Sequence, residues 1–416
     1  MASDYLYQQS EVIAARMPEF FGRFNVVRNL IKSSSKMETI GERDFRSTFL
    51  TQDGGRFGTY DPNGGMLGRG TAAKGGVMVA SFFSLRLNFE LTELAKKATG
   101  SNKVSKINAL KRAMKQALPE MAVYCDKVFH TSGTAVLGTA TAHAVVLAKS
   151  VYTMDTATGV MLLRRGMPVM VYDTTLAAAR DNGKSFIIEQ IDYDAGKVYL
   201  DATVTAAAAT DKLTFEGVSG ASPTGVNGLY YFNNTAKSGT TLGVNRALEL
   251  ELVSNSVVAG GVPTHAKGLQ MLHKQLKRRG EMPAVLGLTS PEQQANIYDQ
   301  VMNIANYDLS QGKVSDDLIP GADMQFKFAG VTHRLDIHQQ TDRIDWIIPK
   351  DWVRAVLPDG DIGFYQNDDG QRFFNLYGDD GGPAAATWFG LVLHENYVCQ
   401  DPGSGGVISG CTQPAY

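Results

Sequence analysis

The chain has 416 residues, of which 44% are hydrophobic, 20% are charged and 43 are glycine. That is the make-up of a folded globular protein with more than one core, neither a small stapled module nor a disordered chain. Lys and Arg number 40 against 42 acids, so no global charge draws the protein to nucleic acid or an anionic surface, and an electrostatic partner must be met by a local patch.

The first forty residues read as a helix-forming arm ending in Phe20, Phe21, Val26, Val27, Leu30 and Ile31. A long β-ribbon follows. In "VMVASFFSLRLNFEL", residues 77–91, Phe83, Leu85, Leu87, Phe89 and Leu91 alternate with Ser84, Arg86, Asn88 and Glu90, the signature of a strand with one dry face. As one strand it would run to roughly 50 Å. Its expected partner is "RDFRSTFLT", residues 43–51, with the glycine-rich "GGMLGRGTAAKGG" of 64–76 near the tip. Two strands alone are marginal in water, so such a ribbon is expected to lie on something outside its own domain. Next, Ile107, Leu110, Met114, Ala117, Met121, Cys125 and Val128 step by three or four, which predicts a long amphipathic helix over 103–130 with a kink at Pro119. Short strands are expected from 160 to 217, including the hairpin "FIIEQIDYDAGKVYLDATV" with its turn at Asp194–Gly196. Thereafter Thr264 and Gly280 bracket one helix, and Ser290, Pro291 and Gln293 open another as a capping box. Strands near 361–377 and 387–399 and a loose tail close the chain.

No motif in the sequence supports catalysis. "DNGKS", 181–185, resembles the end of a phosphate-binding loop, but its first glycine would fall on Ala178 and a strand follows where a helix must begin. Lys74 precedes Gly75, and both flanks of its glycine-rich stretch are strands without a helix dipole. "HENYV", 394–398, has Val398 at the second zinc position, and His333 and His338 fall on opposite faces of a strand. There is no G-x-S-x-G elbow. The acids Asp359, Asp361, Asp368, Asp369, Asp379 and Asp380 lack calcium-loop spacing and fit turns. Cys125, Cys399 and Cys411 form no C-x-x-C pair, which argues against a disulfide framework or zinc site. The expectation is a protein that is not an enzyme, with no cofactor, metal or membrane span. One charge pattern is distinctive: Lys96, Lys97, Lys103, Lys106, Lys111, Arg112 and Lys115 fall between Leu94 and Leu118 without an acid, either a solvated helix face or a contact for polyanion or an acidic neighbour. "KQLKRR", 274–279, is a weaker second patch.

This order of elements resembles the major capsid protein of tailed bacteriophages, the Hong Kong 97 type of fold, over nearly the whole chain. The resemblance implies an α+β, Hong Kong 97-like capsid fold with five parts: an N-terminal arm at 1–42, an extended loop at 43–91, a peripheral domain at 92–159 and 356–416 with spine helix 103–130, a β-rich insertion domain at 160–228, and an axial domain at 229–355. It implies self-assembly as hexamers and pentamers into an icosahedral head, assembled in host cytoplasm around non-specifically packaged DNA. Arg56, Phe57, Tyr60, Arg69 and Lys74 would be the contact side chains of the ribbon tip. Only about forty residues precede the ribbon, so a separate scaffolding protein is expected; the resemblance also implies a portal and leaves decoration proteins open. Three rival readings stay open: an encapsulin-like compartment shell, a β-rich hydrolase with dispersed carboxylates, and a surface attachment or tail protein.

Overall fold

The computed structural model describes residues 27–28, 30–34, 39–40, 44–52, 72, 74–92, 119–155, 159–218, 224–279, 285–308, 325–357, 363–367, 369–377 and 383–412. Strands β1 (Lys32–Ser34), β2 (Thr39–Ile40), β3 (Asp44–Gln52), β4 (Lys74–Ser81) and β5 (Phe83–Thr92) come first, then helix α1 over residues 119–129. Six strands follow: β6 (Val136–Val146), β7 (Lys149–Met154), β8 (Pro168–Tyr172), β9 (Ser185–Asp192), β10 (Lys197–Leu200) and β11 (Lys212–Phe215). A one-turn helix α2 (Leu229–Phe232) leads to β12 (Thr240–Thr241), β13 (Val244–Asn245) and β14 (Asn255–Gly261). Helices then alternate with strands: α3 (His265–Arg279), β15 (Leu286–Thr289), α4 (Pro291–Asp308), β16 (Gln325–Phe328), β17 (Val331–Leu335) and β18 (Arg343–Ile347). The chain ends in β19 (Trp352–Val356), β20 (Gly363–Phe364), β21 (Phe374–Tyr377), β22 (Pro383–Cys399) and β23 (Gly406–Cys411). Among the described residues no helix is long and apolar enough to cross a membrane. Two compact units result, one drawn from 1–35, 82–130 and 354–396, the other from 36–81, 131–353 and 397–416.

The first unit is a six-stranded sheet of order β1-β19-β22-β20, with β5 and β21 also pairing β22. The 17-residue β22 is its axis, and β5 runs antiparallel to it from Phe83↔Glu395 to Thr92↔Ala386. The predicted alternation over 83–90 is present, odd residues half-buried and even ones exposed. On the dry face Phe389 meets Phe89, Phe364 and Phe373 at 5.6, 6.2 and 5.9 Å between ring centroids. On the other face Trp388 stacks on Phe374 at 4.6 Å and on Tyr365 at 5.9 Å. In α1, Met121, Ala122, Cys125, Val128 and Phe129 are buried, the stripe that the three-four spacing predicts; the stretch 103–118 lies outside the described residues. Glu395 continues the dry face, and its carboxylate accepts from Arg28 at 3.0 and 3.2 Å and from Arg354 at 3.2 Å, all three side chains buried. Burial, reinforced by Glu395, pushes the Cys125 thiol well above its ordinary range.

The single strand expected over 77–91 is instead two strands broken at Phe82. Met78 and Ala80 are the buried residues of β4, whereas the half-buried residues of β5 are odd-numbered. A period-two pattern that slips by one residue cannot keep its apolar side on one sheet, so β4 pairs β3 and β5 pairs β22. The two strands belong to different units.

The second unit holds a closed barrel of order β10-β7-β6-β11-β8-β9 and a six-stranded sheet of order β14-β23-β18-β15-β17-β16. The barrel begins at Val136, so it takes in residues 136–154, which the sequence reading assigns to the peripheral segment rather than to the insertion at 160–228. The concealed signal is the β6–β7 hairpin, where Val146 pairs Lys149 across Leu147 and Ala148 with φ of 50° and 57°. Such a turn normally advertises itself with Asn-Gly or Asp-Gly. The hairpin expected at 186–204 is present as β9 and β10, with the Ala195 amide on Asp192 Oδ1 at 3.0 Å. Inside the barrel, buried Asp211 accepts from Tyr152, from Arg180 and from the Ala208 amide.

The sheet's core gathers Met271, Ile297, Phe326, Phe328, Ile344, Trp346 and Ile408. Residues 406–411, read from sequence as loose tail, form β23, the second strand in the sheet order, parallel to the edge strand β14 and antiparallel to β18. Ser290 caps α4 through its hydroxyl on the Gln293 amide at 3.3 Å. The capping box is only half formed, because the Gln293 side chain reaches the carbonyls of Thr341 and Thr412 instead. Asp345, fully buried, accepts from Arg343, Asn233 and Gln339, and the Arg343 guanidinium lies 4.6 Å over the Tyr230 ring.

Two measurements test these cores. Glu395→Gln leaves two buried guanidinium groups facing an uncharged amide and is expected to cost roughly 3–5 kcal/mol, read as a shift in urea unfolding followed by fluorescence of the first unit's Trp388. In the second unit His333 is fully buried, with Nδ1 2.7 Å from Thr289 Oγ1, and burial lowers its pKa from 6.5 to about 3. The imidazole stays neutral in the fold while the unfolded chain takes up a proton below pH 6.5. Stability therefore falls as pH drops through that window, by about 1.4 kcal/mol per pH unit. Replacing it, as His333→Phe, should flatten the decline in unfolding midpoint between neutral pH and about pH 5.

Candidate subunit-contact site

The element with the clearest outward face is the ribbon of β3 and β4. Its register runs from Asp44↔Ser81 to Gln52↔Lys74. On one face Phe45, Ser47, Phe49, Met78 and Ala80 are buried. On the other, Arg46, Thr48, Val77, Val79 and Ser81 are exposed. At the cross-strand pair Phe49↔Gly76 a Cβ added to the glycine would lie 2.7 Å from the Phe49 ring, so the missing side chain is what lets the aromatic ring cover the strand.

The buried face corrects the expectation that something outside its own domain must cover the ribbon. Its root is covered by its own chain, since three strands plus packing against the parent unit satisfy the need that two isolated strands cannot. The three-stranded sheet is β2-β3-β4. Beside it, the β12–β13 hairpin turns at Leu242 and Gly243, with φ of 46° and 86°. The Leu242 carbonyl accepts from the Val79 amide at 3.4 Å, and its amide donates to the Tyr231 hydroxyl at 2.7 Å. Burial, above all, raises the Tyr231 pKa, with the Leu242 amide and Arg246 pulling the other way. Leu242 and Tyr231 carry no motif, and only the short "Thr-Thr-Leu-Gly-Val-Asn" turn at 240–245 marks the place in the sequence.

Of the predicted tip residues, Lys74 is exposed at the start of β4. Arg56, Phe57, Tyr60 and Arg69 lie outside the described residues, as do Lys96, Lys97, Lys103, Lys106, Lys111, Arg112 and Lys115. The second basic patch is partly spent within the chain. Arg278 binds Glu251 and the carbonyls of Leu250 and Val253, and Arg279 binds Asp351. "DNGKS" forms a tight turn with Asp181 and Asn182 at φ of 46° and 55°, and Lys184 lies 5.3 Å over the Phe186 ring. His394 is on a strand, bonded to Ser84 at 2.7 Å, and His333 sits among Phe326, Phe328 and Trp346. Removing the acceptor that holds the hairpin, as Tyr231→Phe, is expected to cost about 1–3 kcal/mol locally. Amide exchange should rise in 77–81 and 240–245 while barrel amides stay unchanged.

No protein-family model matches the sequence, and no curated protein matches it. Among solved structures, the capsid asymmetric unit of cyanophage A-1(L) is similar at a TM-score of 0.50 and 12% identity, covering 95% of this chain and 93% of that chain. The capsid of cyanophage P-SCSP1u gives 0.44 and 11%, covering 94% and 89%. The capsid of Myoviridae phage XM1 gives 0.43 and 8%, covering 93% and 92%. At 12% identity the cyanophage A-1(L) likeness is one of fold. The chain is α+β and has the Hong Kong 97-like fold of a tailed-phage capsid subunit along nearly its whole length.

Proposed function

We propose that this chain is the major capsid protein of a tailed bacteriophage, assembling as hexamers and pentamers into an icosahedral head around double-stranded DNA. The observation that carries this reading is the shared fold with a cyanophage capsid subunit across 95% of the chain. In it the first unit serves as the peripheral domain, the sheet of β14 to β18 and β23 as the axial domain, and the barrel over 136–215 as an insertion. The ribbon tip, with Arg56, Phe57, Tyr60, Arg69 and Lys74, reaches an adjacent copy. Closed shells are made of rings, which need two different patches of each subunit to meet, and modest contacts sum over many copies.

The subunit's role is structural, not catalytic. Its partners are further copies of itself, a separate scaffolding protein, a portal, decoration proteins and packaged DNA, with the basic stretch from Lys96 to Lys115 meeting polyanion or a neighbour. Negative-stain microscopy of the expressed chain tests the reading: closed shells are expected, and a deletion of 56–73 should leave folded subunits that form none. Full-length protein that stays monomeric, or normal shells from the deletion, overturns the assignment; shells holding an enzyme cargo and no DNA would point to an encapsulin-like compartment.

A further inference from the structure

Next to the ribbon root lies a cation with no ion-pair or side-chain hydrogen-bond partner among the described residues. Arg246 follows β13 directly and is only 8% exposed. Its Nε is enclosed and donates to nothing among the described residues, and no ion pair or side-chain hydrogen bond joins its guanidinium to any of them. The cradle is formed by Gly239, whose absent side chain makes the room: a Cβ there would lie 2.8 Å from the terminal guanidinium nitrogen. Acids close in sequence do not fill the need. Glu251 is held by Arg278 at 3.2 Å, and Glu249 makes no ion pair among the described residues.

A largely enclosed guanidinium with no anion is costly, and less enclosed arginines of this unit have one: Arg180 binds Asp211 and Arg343 binds Asp345. The surroundings say what kind of anion fits. Leu248 is 79% exposed and Leu250 52%, while Val77 and Val79 on the adjoining strand β4 are 46% and 41% exposed. An arginine on a segment that also carries exposed apolar side chains, beside a strand that does the same, has the make-up of a protein–protein hot spot. Apolar surroundings of that kind do not suit a phosphate backbone, whose sites are polar and strongly basic.

We propose that Arg246 is the receptor for a carboxylate of a second copy of this chain, completed only when subunits meet. The proposal rests on the shell reading above and names a contact within it. The pocket is prepared in the isolated subunit, so the contact adds a charge-assisted bond without ordering a new side chain.

Arg246→Met tests this, because it fills the cradle without the charge. Replacing an unpaired buried cation by an apolar side chain of similar length leaves the isolated subunit as stable or more so, and the protein concentration needed for shells should rise roughly thirtyfold. A lower melting temperature of unassembled Arg246→Met subunits means that the guanidinium is bonded inside its own chain, and shells at the unaltered concentration mean that it bonds nothing; either result overturns the proposal. Normal empty shells that fail only to retain DNA would make the ligand a phosphate and overturn it as well. A second variant works on assembled particles: in shells of Arg246→Lys a carbodiimide should join subunits through position 246, and mass spectrometry should find the acid on another copy. No such cross-link overturns the proposal. If the unaltered chain forms no shells, the shell reading itself fails; shells that Arg246→Met leaves unaffected sink this inference alone.

Discussion

A β-strand presents its two faces by turns, and one slipped residue at Phe82 governs how this chain is divided. Before it, Met78 and Ala80 point inward; after it, the inward set is odd-numbered. The same stretch therefore serves two sheets, a ribbon with β3 and a long ladder with β22. Had the phase been kept, 77–91 would have been one strand with one partner. The break lets a single run of chain contribute both to the ribbon and to the sheet that holds Glu395, without a loop between.

Charge is handled in two different ways. Around Glu395, Asp211 and Asp345 each buried carboxylate is met by arginine and further donors, which is the condition under which a buried ion is tolerable. Arg246 is enclosed with no such partner among the described residues.

Much of this was visible in the residues. The alternation over 83–90, the α1 stripe through Met121, Cys125 and Val128, the Ser290 cap and the turn before Lys197 all rest on short-range periodicity or local backbone preference, and these survive in a single sequence. What escaped depends on partners far along the chain. "GVISGC" at 406–411 is too short and glycine-flanked to announce a strand paired on both sides, and the Leu147–Ala148 turn adopts left-handed backbone without the residues that signal it. The cover of the ribbon root was hidden for the same reason: Leu242 and Tyr231 sit some 160 residues from the strand they hold. Arg246 had no signature either, because a missing counter-ion shows only once the neighbours are in place.

The position of β23 has a consequence for synthesis. Residues 406–411 separate β14 from β18 in the sheet order, so β14 has no strand to pair with in this sheet until this late segment has emerged from the ribosome. Until then one edge of β18 stays unpaired, and an open strand edge of that kind is where partly made chains aggregate.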